Sequence, residues 1–286
     1  MSNPTDTPTH DSQVVLLDWP APLVARLRIN RPDKRNAMDR AVREQIGQAL
    51  DALEALPQER RARALVFGGV GGVFSAGGDL PSMVGLDEAG ARERMSHVAA
   101  LCRRVAALPV PMVSGVEGFA AGAAVGLALL GDRIIVGVGT RFLFPFLRLG
   151  LAPDWGQVLT LPRRVGLGAA RRIFTSDAPV PGAEALRIGL ADALVPDAEV
   201  AAEAVRQAQA LAALPQQAFS RMKARLNSPS ASLEEELARE VADQVVCMQS
   251  DDFREGYDAF ANKRRPDFVN RMGRTDPTGR SEGNAA

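Results

Sequence analysis

Cysteine and histidine are scarce in this chain: Cys102 and Cys247 are the only cysteines, and His10 and His97 the only histidines. Two cysteines cannot build a disulfide framework. Each lies in an apolar, helix-like pattern where a buried thiol is the natural reading, so a reducing cytoplasmic compartment is expected. A histidine without a spaced partner offers no metal site, and none is expected. Charge of one sign is missing as well. Lys+Arg and Asp+Glu both number 34, so no overall field draws nucleic acid or an anionic membrane, and neither is expected as a partner. No apolar run approaches the length of a membrane span, and the polar stretch Met1 to Ser12 has no apolar segment of signal-peptide type. Residues 1–12 are expected to form a disordered leader, and residues 273–286 a disordered tail. The glycine run Gly68-Gly69-Val70-Gly71-Gly72 is no dinucleotide fingerprint, because Pro81 follows and no helix opens at once.

What is present is an ordinary globular composition. The 286 residues are 46% hydrophobic and 24% charged, enough for one sizeable core with a helical part appended. Val14 to Leu17 and Leu23 to Ile29 are strand-like and separated by the turn-rich Trp19-Pro20-Ala21-Pro22, which predicts a hairpin. Helical spacing over Arg40 to Leu56 (Val42, Ile46, Ala49, Leu50, Leu53, Leu56) follows Asp39 as its N-cap. A strand over Ala62 to Phe67, a helix over about Leu86 to Leu108, a strand at 110–116, a helix at 121–130 and a strand from Arg133 to Val138 continue the alternation. An α/β fold of stacked ββα-like units is therefore expected over residues 13–198. From Glu199 the pattern is helical only, and residues 199–272 are expected to form a separate helical layer.

Two segments expose backbone where side chains are almost absent: Phe74-Ser75-Ala76-Gly77-Gly78-Asp79 and Gly118 to Gly126. Each follows a strand-like run, so both belong at strand C-terminal ends, where ligands of open α/β sheets bind. Bare N–H groups converging there would form an oxyanion hole. Small residues also let a helix pack closely on a strand, and each segment alone fits that reading equally well.

Several further motifs come in order. Asn30-Arg31-Pro32-Asp33-Lys34-Arg35-Asn36-Ala37-Met38 precedes the first bare segment; Leu149 to Asp154 with Leu161-Pro162-Arg163, and Ala183 to Asp192, follow the second. Together they resemble the enoyl-CoA hydratase/isomerase, or crotonase, superfamily over Val14 to Phe268. The resemblance implies a spiral of ββα units with a C-terminal helical trimerisation region. It implies an acyl-CoA thioester as substrate, with coenzyme A as part of that substrate and no separate cofactor. The N–H groups of Gly78 and Ala123 would hold the thioester oxygen, Ala123 standing where the family usually has glycine. Family hydratases carry glutamates at two positions that here are Gly126 and Phe146. Without them, activating water and delivering a proton lack their groups, which disfavours simple hydration. Asp154 falls where some family isomerases and dehalogenases carry an active-site aspartate. Read locally, without the resemblance, Asp154 is first of all a helix N-cap ahead of Trp155 to Leu161.

The expected function is therefore a double-bond shift, 3-enoyl-CoA to 2-enoyl-CoA, through an enolate held by the hole with Asp154 as proton shuttle. Hydration, aryl-CoA dehalogenation and non-catalytic acyl-CoA binding are the alternatives. By the same resemblance Arg31, Lys34 and Arg35 would meet the CoA phosphates, with the adenine end near Ala76, and Lys263 would complete a site from a neighbouring subunit. Ala37, Ser75, Asp79, Leu80, Phe119 and Gly122 would line the substrate path. Phe142, Phe144, Phe146, Leu147 and Trp155 would form a dry wall around Asp154. The stripe Leu233, Leu237, Val241, Val245 and Met248 must pack on something, and a homotrimer or a dimer of trimers is expected.

Overall fold

The computed structural model of the chain describes residues 13–57 and 60–269. The expected leader and tail lie outside the described residues. The chain forms two compact units, one ending at Ala212 and one beginning at Ala213.

In the first unit a six-stranded sheet has the order β1 (Val15–Ala21), β2 (Val24–Ile29), β3 (Ala64–Gly69), β4 (Met112–Val116), β6 (Arg133–Gly137), β9 (Ala193–Val195). Only β1 and β2 pair antiparallel; every later neighbour is parallel. Strands β3 and β4 are buried along their whole length, as parallel strands covered on both faces must be. A smaller sheet holds β5 (Phe119–Ala121), β7 (Arg141–Leu143) and β8 (Val180–Pro181). Strand β5 follows β4, and β7 follows β6, so successive strands step from the large sheet to the small one before a helix returns.

Alternation along the strands sends neighbouring side chains to opposite faces. On one face Leu27, Ile29, Phe67 and Met112 meet α1 (Arg40–Glu54), α2 (Glu88–Ala106) and α3 (Ala123–Leu129). Helix α1 places Val42, Ile46 and Leu50 inward, and the Asp39 carboxylate accepts the Val42 N–H at 3.0 Å, as its sequence predicts. On the other face Val24, Val66, Val113 and Ile135 pack against Val200, Ala204, Ala208 and Ala212 of α7 (Val200–Ala212). The expected boundary at 198 thus differs from the observed one. Residues 200–212 are a layer of the sheet, and their small inward side chains let α7 lie close to it.

Three local expectations are corrected. Strand β1 continues through Trp19 and Pro20, which an edge strand tolerates because its outer N–H groups have no ladder partner. Helix α4 is Gln157–Val165, starting two residues later than predicted; α5 (Leu167–Thr175) and α6 (Gly182–Arg187) follow. Both cysteines are half-buried rather than buried. No described helix is long and apolar enough to cross a membrane.

The second unit holds α8 (Gln216–Asn227), α9 (Leu233–Met248) and α10 (Asp251–Ala261). Ser232 accepts the Glu235 N–H at the start of α9, and Ser250 the Phe253 N–H at the start of α10. Arg225 pairs with Glu236 and Asp243, tying α8 to α9. No residue of α9 is buried within the unit, and the whole Leu233 to Met248 stripe is exposed.

Candidate active site

Asn36 organises the first wall of the site. The short turn Pro32–Lys34 ends in two left-handed residues, Arg35 (φ 49°) and Asn36 (φ 58°), which turn the Asn36 amide inward. That side chain is wholly buried. Its oxygen accepts the Arg31 N–H at 2.9 Å, and its NH2 donates to the carbonyls of Val70 (2.9 Å) and Val73 (2.6 Å). Ser75 Oγ then donates to the Asn36 carbonyl at 2.7 Å and accepts the Gly77 N–H at 3.0 Å. The Met38 N–H reaches Gly77 O at 2.7 Å and the Ala76 N–H reaches Arg35 O at 2.8 Å. The 31–38 loop and the 74–79 segment are thereby locked side by side.

The second bare segment joins from the other side. The Phe74 N–H donates to Glu117 O at 2.9 Å, Ser75 to Phe119 O at 3.2 Å, and Ala121 to Ser75 O at 3.1 Å. The approach is so close that a Cβ on Gly77 would lie 2.3 Å from Ala121 O and 3.4 Å from Ala123 N, and Gly77 has φ 88°. Only glycine fits both constraints.

This lattice uses up the N–H groups of Gly77, Asp79, Ala121 and Gly122. Among the described residues, the N–H groups of Gly78 and Ala123 have no protein acceptor. Ala123 is the first residue of α3, where an unpaired N–H and the positive end of the helix coincide. Both residues line one cavity of about 310 Å³, together with Ala76, Leu80, Gly122, Phe146 and Asp154. Helix α2 contributes Ala91, Arg94 and Met95 to its wall. Behind it lies a void of about 10 Å³ bounded by Met38, Arg43, Met83 and Trp155, and again by Gly78, Ala123, Arg94 and Asp154.

Asp154 is not a helix cap. Helix α4 starts at Gln157, and the Asp154 contribution to that start is its carbonyl, which accepts the Gln157 N–H and Nε2–H, each at 3.1 Å. Oxygen Oδ1 of Asp154 is buried without a hydrogen-bond partner. Burial pushes the Asp154 carboxyl up to about 6, against the weaker downward pull of its own backbone N–H and of Arg94. At neutral pH it is an ionised, poorly solvated base beside two unpaired donors.

The space of the first hydratase glutamate is already filled. A Cβ on Gly126 would fall 2.3 Å from Trp155 Cβ and 3.1 Å from Gln157 Nε2, while that Nε2 also donates to Gly122 O at 3.1 Å. At the second position Phe146 is buried and presents its ring to the cavity.

Other expected residues have different places. Ser75 is wholly buried and Ala37 nearly so, and both hold the loops. Arg31 braces the loop, donating to Ala37 O at 2.7 Å and pairing with Asp39 at 3.1 Å, so it is not a free cation. Phe142 and Phe144 are core residues and Leu147 is exposed; of the expected dry wall only Phe146 and Trp155 border the cavities. Asp79 and Phe119 are half-buried beside the site without lining it. Lys34 and Arg35 are exposed and carry no ion pair among the described residues. Lys263 is an exposed residue of the second unit, just beyond α10. Asn36, Arg43, Arg94 and Gln157 were not anticipated. For the α2 residues the signal was there: Ala91, Arg94 and Met95 are spaced i, i+3, i+4 and share one helix face.

These features are those of an enzyme pocket that stabilises a developing oxyanion beside a carboxylate. The enoyl-CoA hydratase/isomerase family profile matches residues 22–271, and the chain belongs to that family. It is 35% identical over 255 residues to a Rhodobacter capsulatus protein named "Probable enoyl-CoA hydratase", covering 87% of this chain and 95% of that one. It is 32% identical over 253 residues to the 1,2-epoxyphenylacetyl-CoA isomerase of Escherichia coli, covering 86% and 95%. The crystal structure of an enoyl-CoA hydratase/isomerase from Cupriavidus metallidurans superposes with a TM-score of 0.81 at 26% identity, over 92% of this chain and 98% of the other.

Proposed function

We propose that this enzyme moves a carbon–carbon double bond in an acyl-CoA, converting a 3-enoyl to a 2-enoyl thioester. The observation that carries the reading is that Asp154 is the carboxylate lining the same cavity as the unpaired N–H groups of Gly78 and Ala123. The thioester oxygen sits between those two donors. Asp154 takes a proton from the carbon next to the thioester, and the electron pair moves onto the thioester oxygen, where the N–H groups and the α3 N-terminus stabilise it. The same carboxylic acid returns the proton at the far end of the resulting dienolate, which leaves the double bond conjugated. One carboxylate is enough for this cycle, whereas adding water wants a second group that Gly126 and Phe146 do not supply.

The exposed Lys34 and Arg35 adjoin the cavity wall through the Arg35 O to Ala76 N–H bond, which supports CoA phosphate binding at that rim. The unburied apolar stripe of α9 supports a homotrimer or a dimer of trimers, and a monomer in sedimentation at micromolar concentration would overturn that. Assaying 3-enoyl-, 2-enoyl- and aromatic acyl-CoAs side by side tests the reaction. Isomerisation of the 3-enoyl thioester is expected to dominate; faster hydration of the 2-enoyl thioester would refute the assignment.

A further inference from the structure

Arg43 is 3% exposed, yet among the described residues it has no ion-pair partner. Its one hydrogen bond runs from Nη1 to Met38 O at 3.4 Å, and Nε is buried with no acceptor. A guanidinium so removed from water is normally matched by a carboxylate. The nearby acids are otherwise engaged. Asp39 caps α1 with one oxygen and pairs with Arg31 through the other, and Glu44 is held by Arg40. Arg43 instead borders the void behind the oxyanion donors, with Arg94 and Asp154 on the same wall.

Arg94 donates to Ser82 Oγ at 2.9 Å and reaches both the void and the larger cavity. Two guanidinium groups and one carboxylate therefore border one void. Arg94 acts on Asp154, while the charges acting on Arg43 are Arg94, Arg40 and the already paired Asp39 and Glu44, so one positive charge is left over. The proposed reaction does not change that balance, because the charge Asp154 loses on taking a proton reappears on the enolate. The void is small as it stands, but Met38, Met83 and Met95 border it, and unbranched thioether side chains yield readily to a ligand.

We infer that Arg43 and Arg94 form a carboxylate-binding subsite at the inner end of the acyl pocket, so that the preferred substrates are CoA monothioesters of dicarboxylic acids. A terminal carboxylate would supply the missing negative charge, and a planar guanidinium can grip both of its oxygens. The inference rests on the acyl-CoA reading of the site and adds the nature of the acyl group.

The test is calorimetric titration of the full chain with two saturated thioesters of equal chain length, hexanoyl-CoA and adipyl-CoA, neither of which has a double bond to move. Adipyl-CoA is expected to bind about tenfold or more tightly, the scale of one charge-assisted hydrogen-bonded pair. In Arg43→Gln the ratio of the two affinities is expected to fall to within about threefold of unity, and in Arg43→Lys to lie between. Should the Arg43 variants fail to fold, Arg94→Gln at a half-exposed helix position is expected to lower the same ratio. Equal or weaker binding of adipyl-CoA by the unaltered protein overturns the subsite, as does an unchanged ratio in a folded variant. Failure of both thioesters to bind would instead overturn the acyl-CoA reading itself.

Discussion

Replacing Asp154 by asparagine separates chemistry from stability because the structure predicts opposite signs for the two. The carboxyl titrates at about 6 rather than the ordinary 3.8, which corresponds to about 3 kcal/mol of preference for its protonated form in the folded chain. Between pH about 4 and about 6 the folded state binds more protons than the unfolded one, so stability falls as pH rises through that window and is flat above it. At neutral pH ionised Asp154 therefore weakens the fold. Asparagine removes the charge, while its amide adds two donors that a largely apolar cavity must satisfy, at a cost of about 1–3 kcal/mol. The net expectation is a gain of about 0–2 kcal/mol at neutral pH, seen as a melting temperature that is unchanged or a few degrees higher. This advantage should shrink as pH falls from about 6 to about 4 and be gone below that, where the carboxyl is protonated in both folded and unfolded chains.

Turnover goes the other way. Without a base, conversion of a 3-enoyl-CoA should drop by about two orders of magnitude or more, and so should exchange of its α-protons with deuterated solvent followed by mass spectrometry. The oxyanion donors are untouched, so a saturated acyl-CoA should still bind. An Asp154→Asn variant that melts several degrees lower and keeps its turnover would refute both the role and the electrostatic argument.

The pH dependence of kcat/KM should rise about tenfold per pH unit up to about 6 and level off above, because the ionised carboxylate is the active form; a profile flat down to pH 4.5 would exclude Asp154 as the base. Gly126→Ala should lower stability by about 1–3 kcal/mol or more, measured as a fall in melting temperature, since its methyl group would meet Trp155 Cβ at 2.3 Å. The paired substitution Lys34→Glu, Arg35→Glu should weaken acyl-CoA binding by about tenfold or more at low salt, with a smaller effect at high salt. Unchanged affinity at low salt would move the CoA phosphates elsewhere.

Elements that bury one clean face were legible in the sequence. Helix α1 declares itself through Asp39 and the Val42, Ile46, Leu50 spacing, and β3, β4 and β6 through short apolar runs. Strands β5, β7 and β8 have only three, three and two residues, too few to show a period. Proline in β1 misleads unless the strand is known to be an edge, and α7 has the same periodicity whether it covers a sheet or another helix. Within the site, Gly78, Ala123 and Asp154, which line one cavity, were singled out by the family resemblance of the ordered motifs, with the two bare segments adding a backbone argument for the first two. Arg43 was not legible, since a charged residue on an amphipathic helix usually faces water, whereas Arg94 showed in its i, i+3, i+4 spacing with Ala91 and Met95. Position gave the one available hint: Arg43 lies three residues before Ile46 and seven before Leu50, on the buried side of α1.

The missing glutamate and the perturbed aspartate have a common origin in the turn before α4. Trp155 and Gly156 both adopt left-handed backbone, with φ 51° and 73°. A left-handed tryptophan is strained, and buried packing has to hold it there. That turn lays Trp155 Cβ against Gly126, and Gln157 fills what space remains. Immediately before it, the chain leaves Asp154 with one oxygen sealed from water and no partner. A glutamate at position 126 would need the turn rebuilt, and rebuilding the turn would release Asp154 from the environment that raises its pKa. On this backbone the same turn, Asp154, Trp155 and Gly156, closes the space at position 126 and leaves Asp154 its buried, unpartnered oxygen.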